Sequence, residues 1–288
     1  MFSSWFLPAL LTALFESGKD IFGKHSLKDY DPLAVAWLWR LLALPFLVPI
    51  LFFIDLPSPS WPLFGALAIS GSINVVTSWL YMRALMLGDI SLTVPMVSFT
   101  PLFLLFTSPL ILRETMGPKG ILGVLLVVAG SLLLHHGADS RRWKESLLAL
   151  SRHKGARTML LVAFLWSISA NVDKIGVQSS DPFFWALVVN AAVALVLTPW
   201  GWRGWKRHSS RGTGGTSALW AVGACGGLTS VCQMLAITLG PVPYVIAVKR
   251  TSTLFSVVWG CWLFKEEGFR ERLTGAGVML MGAVLLMI

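Results

Sequence analysis

FGKHSLKDYDP, residues 22–32, returns 150 positions later as VDKIGVQSSDP, residues 172–182, and this recurrence decides how the chain reads. Lys24 falls on Lys174 and Asp31-Pro32 on Asp181-Pro182. The same register carries Ala36 onto Ala186, Leu47 onto Leu197 and Pro49 onto Pro199. Beyond it, a shift of 152 takes over. Thr77-Ser78 then falls on Thr229-Ser230, and Met82, Ala84 and Gly88 on Met234, Ala236 and Gly240. Leu102-Phe103 matches Leu254-Phe255, Glu114 matches Glu266, and Gly123 and Gly130 match Gly275 and Gly282. Chance likeness between apolar segments would repeat Leu and Val, not Lys, Asp-Pro, Thr-Ser and Glu. The chain is an internal duplication.

Between the repeated points run long apolar stretches. Of 288 residues, 55% are hydrophobic and only 13% charged, and the mean hydropathy is +0.72. A soluble domain usually carries about 25% charged residues, so the excess apolar surface needs a bilayer. A helix crossing the hydrocarbon core needs about 20 residues, and ten runs qualify: 4–24, 32–54, 61–86, 90–112, 117–136, 158–178, 182–202, 216–239, 242–264 and 270–288. Helix is expected throughout, because lipid offers backbone groups no partner and the alternation of a membrane barrel is absent. The expected fold is all-α, integral to the membrane: ten transmembrane helices as two five-helix repeats, 1–136 and 158–288, joined by a basic linker, 137–157. Five crossings is an odd number, so the second copy enters from the opposite side. Inverted repeats that meet at the midplane and rock against each other are a recurring design of transporters.

The residues that carry the duplication also carry a resemblance. FGKHSLKDYDP, Thr77-Ser78, the Leu87-Gly88-Asp89 hinge, and the Arg113-Glu114 and Lys265-Glu266-Glu267 closures are similar to those of the EamA-type, ten-helix branch of the drug/metabolite transporter superfamily. The likeness covers nearly the whole chain. It implies metabolite or amino-acid transport, commonly efflux or exchange, through a central cavity lined by helices one, three, four, six, eight and nine.

The net charge of +9 would suggest nucleic acid in a soluble protein. Here the cations read as cytoplasmic anchors, with no nucleic-acid partner expected. Of the 23 Lys and Arg, fifteen lie in odd-numbered loops and only Arg113 and Lys119 in even ones. Both termini are therefore expected outside the cytoplasm of a cell inner (plasma) membrane, although the resembling family more often keeps them inside. The linker stretch RRWKESLLALSRHK reads as an anchor or an interfacial amphipathic helix on anionic lipid.

Six cations lie within the spans: Lys19, Arg40, Arg83, Lys174, Lys249 and Arg250. A charge at that depth marks function or an internal partner. Lys249-Arg250 in helix nine is the sharpest case. Two fixed cations make an anion site, and Arg can grip carboxylate or phosphate bidentately. The pair also resembles the phosphate-gripping Lys-Arg of plastid sugar-phosphate translocators; the alternative is neutralisation by Glu16 or Asp20. In helix one, Glu16, Lys19 and Asp20 share a face. Glu16 and Arg40 fall at matching depth of a helical hairpin, which suggests an ion pair or a proton-coupling carboxylate. Asn74, Tyr81, Ser98, Thr100, Gln233, Tyr244 and Thr253 are expected hydrogen-bonding lining, and Trp79 and Trp166 deeper aromatic walls. Cys225, Cys232 and Cys261 all lie in helices, so neither a disulfide framework nor a metal site is indicated.

No nucleotide loop, HExxH or GxSxG occurs, so neither enzyme nor cofactor is expected. The leading expectation is secondary transport of a small anionic or zwitterionic metabolite, driven by an ion such as a proton or by exchange. The alternative is a flippase or scramblase for a phosphate-headed carrier lipid.

Overall fold

The computed structural model describes residues 4–27, 29–87, 93–136, 153–208, 216–256 and 269–288, and within them the chain is helical without strands. The first half holds α1 (Phe6–Ser26), α2 (Pro32–Leu47), α3 (Trp61–Leu87), α4 (Thr100–Leu112) and α5 (Pro118–His136). The second holds α6 (Lys154–Gln178), α7 (Pro182–His208), α8 (Thr216–Leu239), α9 (Val242–Lys249) and α10 (Phe269–Met287).

Local chemistry accounts for the repeated Asp-Pro. Asp31 accepts from the Leu33 amide at 2.9 Å, and Asp181 from the Phe183 amide at 2.8 Å. Each caps a helix whose first residue is the following proline, which has no amide proton to satisfy. The expected span 32–54 is interrupted: after Leu47 the chain tightens into a 3-10 helix, Val48–Phe53. Pro45 and Pro49 remove two ladder donors there.

Among the described residues, five segments are long and apolar enough to cross a bilayer: Pro32–Phe53, Trp61–Ala84, Lys154–Gln178, Pro182–Arg207 and Ser217–Leu239. Met96–Leu112, Pro118–Leu134 and Thr274–Met287 are shorter apolar helices. The outer surface is apolar, with Phe52, Phe53, Trp61, Phe106 and Leu110 largely exposed. A surface of this kind belongs against lipid.

Packing joins the two halves. The principal partners are α5 with α10, α1 with α8, α3 with α6, and α2 with α7. Exchanging the halves maps this set onto itself. Along α5 and α10 a Cβ on Gly130 would lie 2.5 Å from the Met279 nitrogen, and one on Gly282 would lie 2.7 Å from the Val127 nitrogen. The 152-residue shift relates these two contacts. Gly123 faces Gly282 while Gly130 faces Gly275, so these repeat counterparts run antiparallel, with glycines permitting a close backbone approach. The counterparts α2 and α7 are antiparallel too: Tyr30 stacks on Trp205 at 5.0 Å, and further along, Trp37 Nε1 donates to Thr198 at 3.1 Å.

One end of the bundle is clamped across the halves. Lys174 of α6 pairs with Glu114, just beyond α4, and donates to the Gly240 carbonyl at 2.9 Å. The other Glu114 oxygen accepts from the Val242 amide at 3.2 Å.

Candidate functional site

The expected helix 242–264 is not continuous. α9 stops at Lys249, and residues 250–251 form a turn before helical residues 252–256. The Arg250 amide is shared between Ile246 O at 3.2 Å and Ala247 O at 3.0 Å, and amides 251, 253 and 254 reach back three residues instead of four, as in Thr251 N to Val248 O at 2.9 Å. No proline causes this. The Thr251 and Thr253 hydroxyls take the carbonyls of Val248 and Arg250 at 2.7 and 2.9 Å, which competes with the helical ladder. In the first half, the 3-10 helix Val94–Phe99 occupies the equivalent place and precedes α4. Pro101, lacking an amide, cannot donate to Val97 there. Both interruptions border the same space.

That space is a central cavity of about 140 Å³. Of the expected residues, Lys249, Arg250, Gln233, Asn74, Thr100, Trp166, Glu16, Lys19 and Arg40 line it. Its walls thus come from the helices the resemblance implies, with α2 and α7 added. Lys249 Nζ donates to Gln233 Oε1 at 2.8 Å and stands 3.7 Å from Glu16, whose other oxygen takes Lys19 at 2.8 Å. Arg250 donates to Thr100 Oγ1 at 3.0 Å. Four cations (Lys19, Arg40, Lys249, Arg250) therefore face two carboxylates, Glu16 and Asp173. The Nε atoms of Arg40 and Arg250 are buried without a hydrogen-bond partner, and an unmet buried donor of this kind costs free energy until a ligand supplies an acceptor.

The expected Glu16–Arg40 ion pair is replaced by other partners. Glu16 takes Lys19 and Lys249, whereas Arg40 donates to Asn190 at 3.3 Å and Asn74 at 3.1 Å and lies over the Trp39 ring at 4.0 Å. Other expected residues lie away from the cavity wall. Thr253 spends its hydroxyl on the Arg250 carbonyl. Ser98 pairs with Ser131 at 2.7 Å, and Tyr244 packs on Trp5 and against Gly120. Trp79 is half exposed on the outer surface, beneath the Arg83 guanidinium at 5.1 Å. Tyr81 supports Trp166 behind the wall, its ring tilted by 31° at 5.9 Å between centroids, and Trp166 is fixed by donating to Thr77 at 3.0 Å. Asp20 is exposed. Cys225 and Cys232 are free thiols, Cys261 falls outside the described residues, and no metal-holding cluster occurs among the described residues.

Several lining residues escape a reading of the sequence. Asp173 is 5% exposed and accepts from Ser70 at 2.5 Å and from Trp185 Nε1 at 3.1 Å. Ser169 accepts from Asn74 at 2.9 Å, and Asn190 donates to Ser230 at 3.1 Å. Trp39 and Thr229 complete the polar wall. Asp173 adjoins Lys174 near the end of an apolar run, which suggests snorkelling; it turns inward because Trp185 and Ser70 supply donors.

A family model for the EamA-like transporter family matches residues 3–135 and again 153–288. The chain belongs to that family. It is a multi-pass membrane protein of two EamA repeats, a transporter of the drug/metabolite superfamily. No curated protein matches it in sequence. Among solved structures, a crystal structure described only as that of a protein aligns with 99% of this chain and 98% of its own, at a TM-score of 0.75. At 16% identity, the likeness concerns the fold alone.

Proposed function

We propose that this EamA-type chain crosses the membrane ten times as two inverted repeats and carries a small anionic or zwitterionic metabolite by alternating access. The observation that carries the reading is the Lys249-Arg250 pair, placed at a broken helix on a cavity whose wall has two more cations than acids. Interrupted helices at corresponding positions of the two halves mark binding sites in such transporters, because their free backbone ends and side chains converge on the substrate. A carboxylate or phosphate would meet Lys249 and the unpartnered Arg250 Nε. An ammonium group would find Glu16 or Asp173. The cavity size favours an amino acid or short organic acid over a sugar phosphate or carrier lipid, since a cavity of about 150 Å³ holds a molecule the size of benzene.

Uptake into proteoliposomes, measured beside melting temperature, tests the assignment. Arg250→Lys keeps the charge but loses the bidentate fork, so transport should fall at least about tenfold with the fold intact. Lys249→Ala should weaken transport as well. Normal transport by a well-folded Lys249→Ala, Arg250→Ala double variant would overturn the anion site.

A further inference from the structure

A second hollow, of about 480 Å³, lies outside the central site, where the last turns of α3 meet the first turns of α6. Its lining divides sharply. Arg83, Lys154 and Arg157 supply three cations, and Leu80, Leu87 and Leu161 supply the apolar wall. All three cations are exposed, and none has an acidic partner among the described residues. Leu87 and Leu161 are 44% and 46% exposed. The two crossing segments end here, Trp61–Ala84 from one direction and Lys154–Gln178 from the other, so the hollow stands at the edge of the apolar belt. A molecule seated there would have its charged part in the headgroup layer and its apolar part in hydrocarbon. The half-exposed Trp79, under Arg83, adds an aromatic surface on the hydrocarbon side.

We propose that this hollow binds one anionic glycerophospholipid, with the phosphate among Arg83, Lys154 and Arg157 and an acyl chain along Leu80, Leu87 and Leu161. Charge complementarity selects the headgroup: three cations on a membrane boundary, without an acidic partner among the described residues, attract anionic lipid, each worth about 1 kcal/mol near such a surface. The exposed leucines select a lipid over a free anion, which would leave them uncovered. The lipid would bridge α3, in the first half, to α6, in the second. It would thereby bear on how the halves are held together, separately from any substrate.

The experiment uses the full chain in a neutral detergent. Thermal unfolding is followed with added phosphatidylglycerol, phosphatidylcholine or inorganic phosphate, and bound lipid is counted by native mass spectrometry. Phosphatidylglycerol should raise the wild-type melting temperature by roughly 5 °C at saturating lipid, with one retained adduct. Phosphatidylcholine and inorganic phosphate should leave it unchanged. In an Arg83→Gln, Lys154→Gln, Arg157→Gln variant the shift and the adduct should disappear, while the melting temperature in phosphatidylcholine stays at the wild-type value. Should that variant fail to fold, the single Arg157→Glu reversal takes its place and should weaken the adduct at least tenfold. Equal stabilisation by the zwitterionic lipid, a matching shift from phosphate alone, or an undiminished adduct in the variants would each overturn the proposal. So would a wild type that takes up no anionic lipid, as when another segment of the chain fills the hollow.

Discussion

Glu16 holds two lysines from different helices, Lys19 on its own α1 and Lys249 from the opposite half. These side chains are 13–19% exposed, so they are partly screened and weaker than a fully buried pair. Glu16→Gln should still strand two cations and cost about 2 kcal/mol in unfolding free energy. A thermal double-mutant cycle of Glu16→Gln with Lys249→Gln should give a coupling of about 1 kcal/mol, larger than the corresponding cycle with Arg40→Gln. Equal couplings would contradict the pairing. The Lys249-Arg250 pair was legible from sequence because charge inside an apolar run needs a reason. The partner of Arg40 was not. Matching depth on a helical hairpin assumes that consecutive helices pack together, whereas α1 packs chiefly on α8 and α2 on α7. The acceptors for Arg40 are Asn74 and Asn190, which no local pattern links to it.

Among the elements, α5 and α10 cross where glycine is required. A Cβ at Gly130 would sit 2.5 Å from a backbone nitrogen of α10, and the main chain cannot yield as a flexible side chain can. Gly130→Ala should therefore force the helices apart and cost about 2 kcal/mol. Gly65→Ala is the control. Nothing lies within 4 Å of its Cβ position in α3, so the change should be neutral or add up to about 1 kcal/mol through helix propensity. Melting temperatures of the two variants in one detergent separate packing from propensity. The glycines were visible in the sequence as repeat matches, though their role became plain only when both helices were seen side by side. The break after Lys249 was hidden for a different reason: it arises from threonine hydroxyls bonding back to carbonyls, and Thr is common in continuous helices as well.

For the whole molecule, the duplication conveyed most of the architecture. Repeated Lys, Asp-Pro and Gly positions correspond to a clamp, two helix caps and a helix crossing. Lys24, the counterpart of Lys174, lies in the last turn of α1, beside the basic loop that leads to α2. The distribution of Lys and Arg predicts that this loop, and the other odd ones, face the cytoplasm and that both termini lie outside. A green-fluorescent fusion at the C-terminus should then stay dark in cells, because that reporter matures poorly after export. An alkaline phosphatase fusion at the same point should be active. Bright fluorescence would reverse the orientation.

The hydrogen bond from Arg40 to Asn190 joins residues 150 apart, which are counterparts in the two repeats. A residue that touches its own counterpart lies on the axis relating the halves. In a dimer of two identical five-helix chains, that position would oppose itself, arginine against arginine or asparagine against asparagine. The first would set two like charges face to face, and the second would leave the centre uncharged. Two halves of different sequence escape the restriction. They can place a single unmatched cation at the point of highest symmetry, so the charge at the centre of this molecule is a property that no homodimer of either half could reproduce.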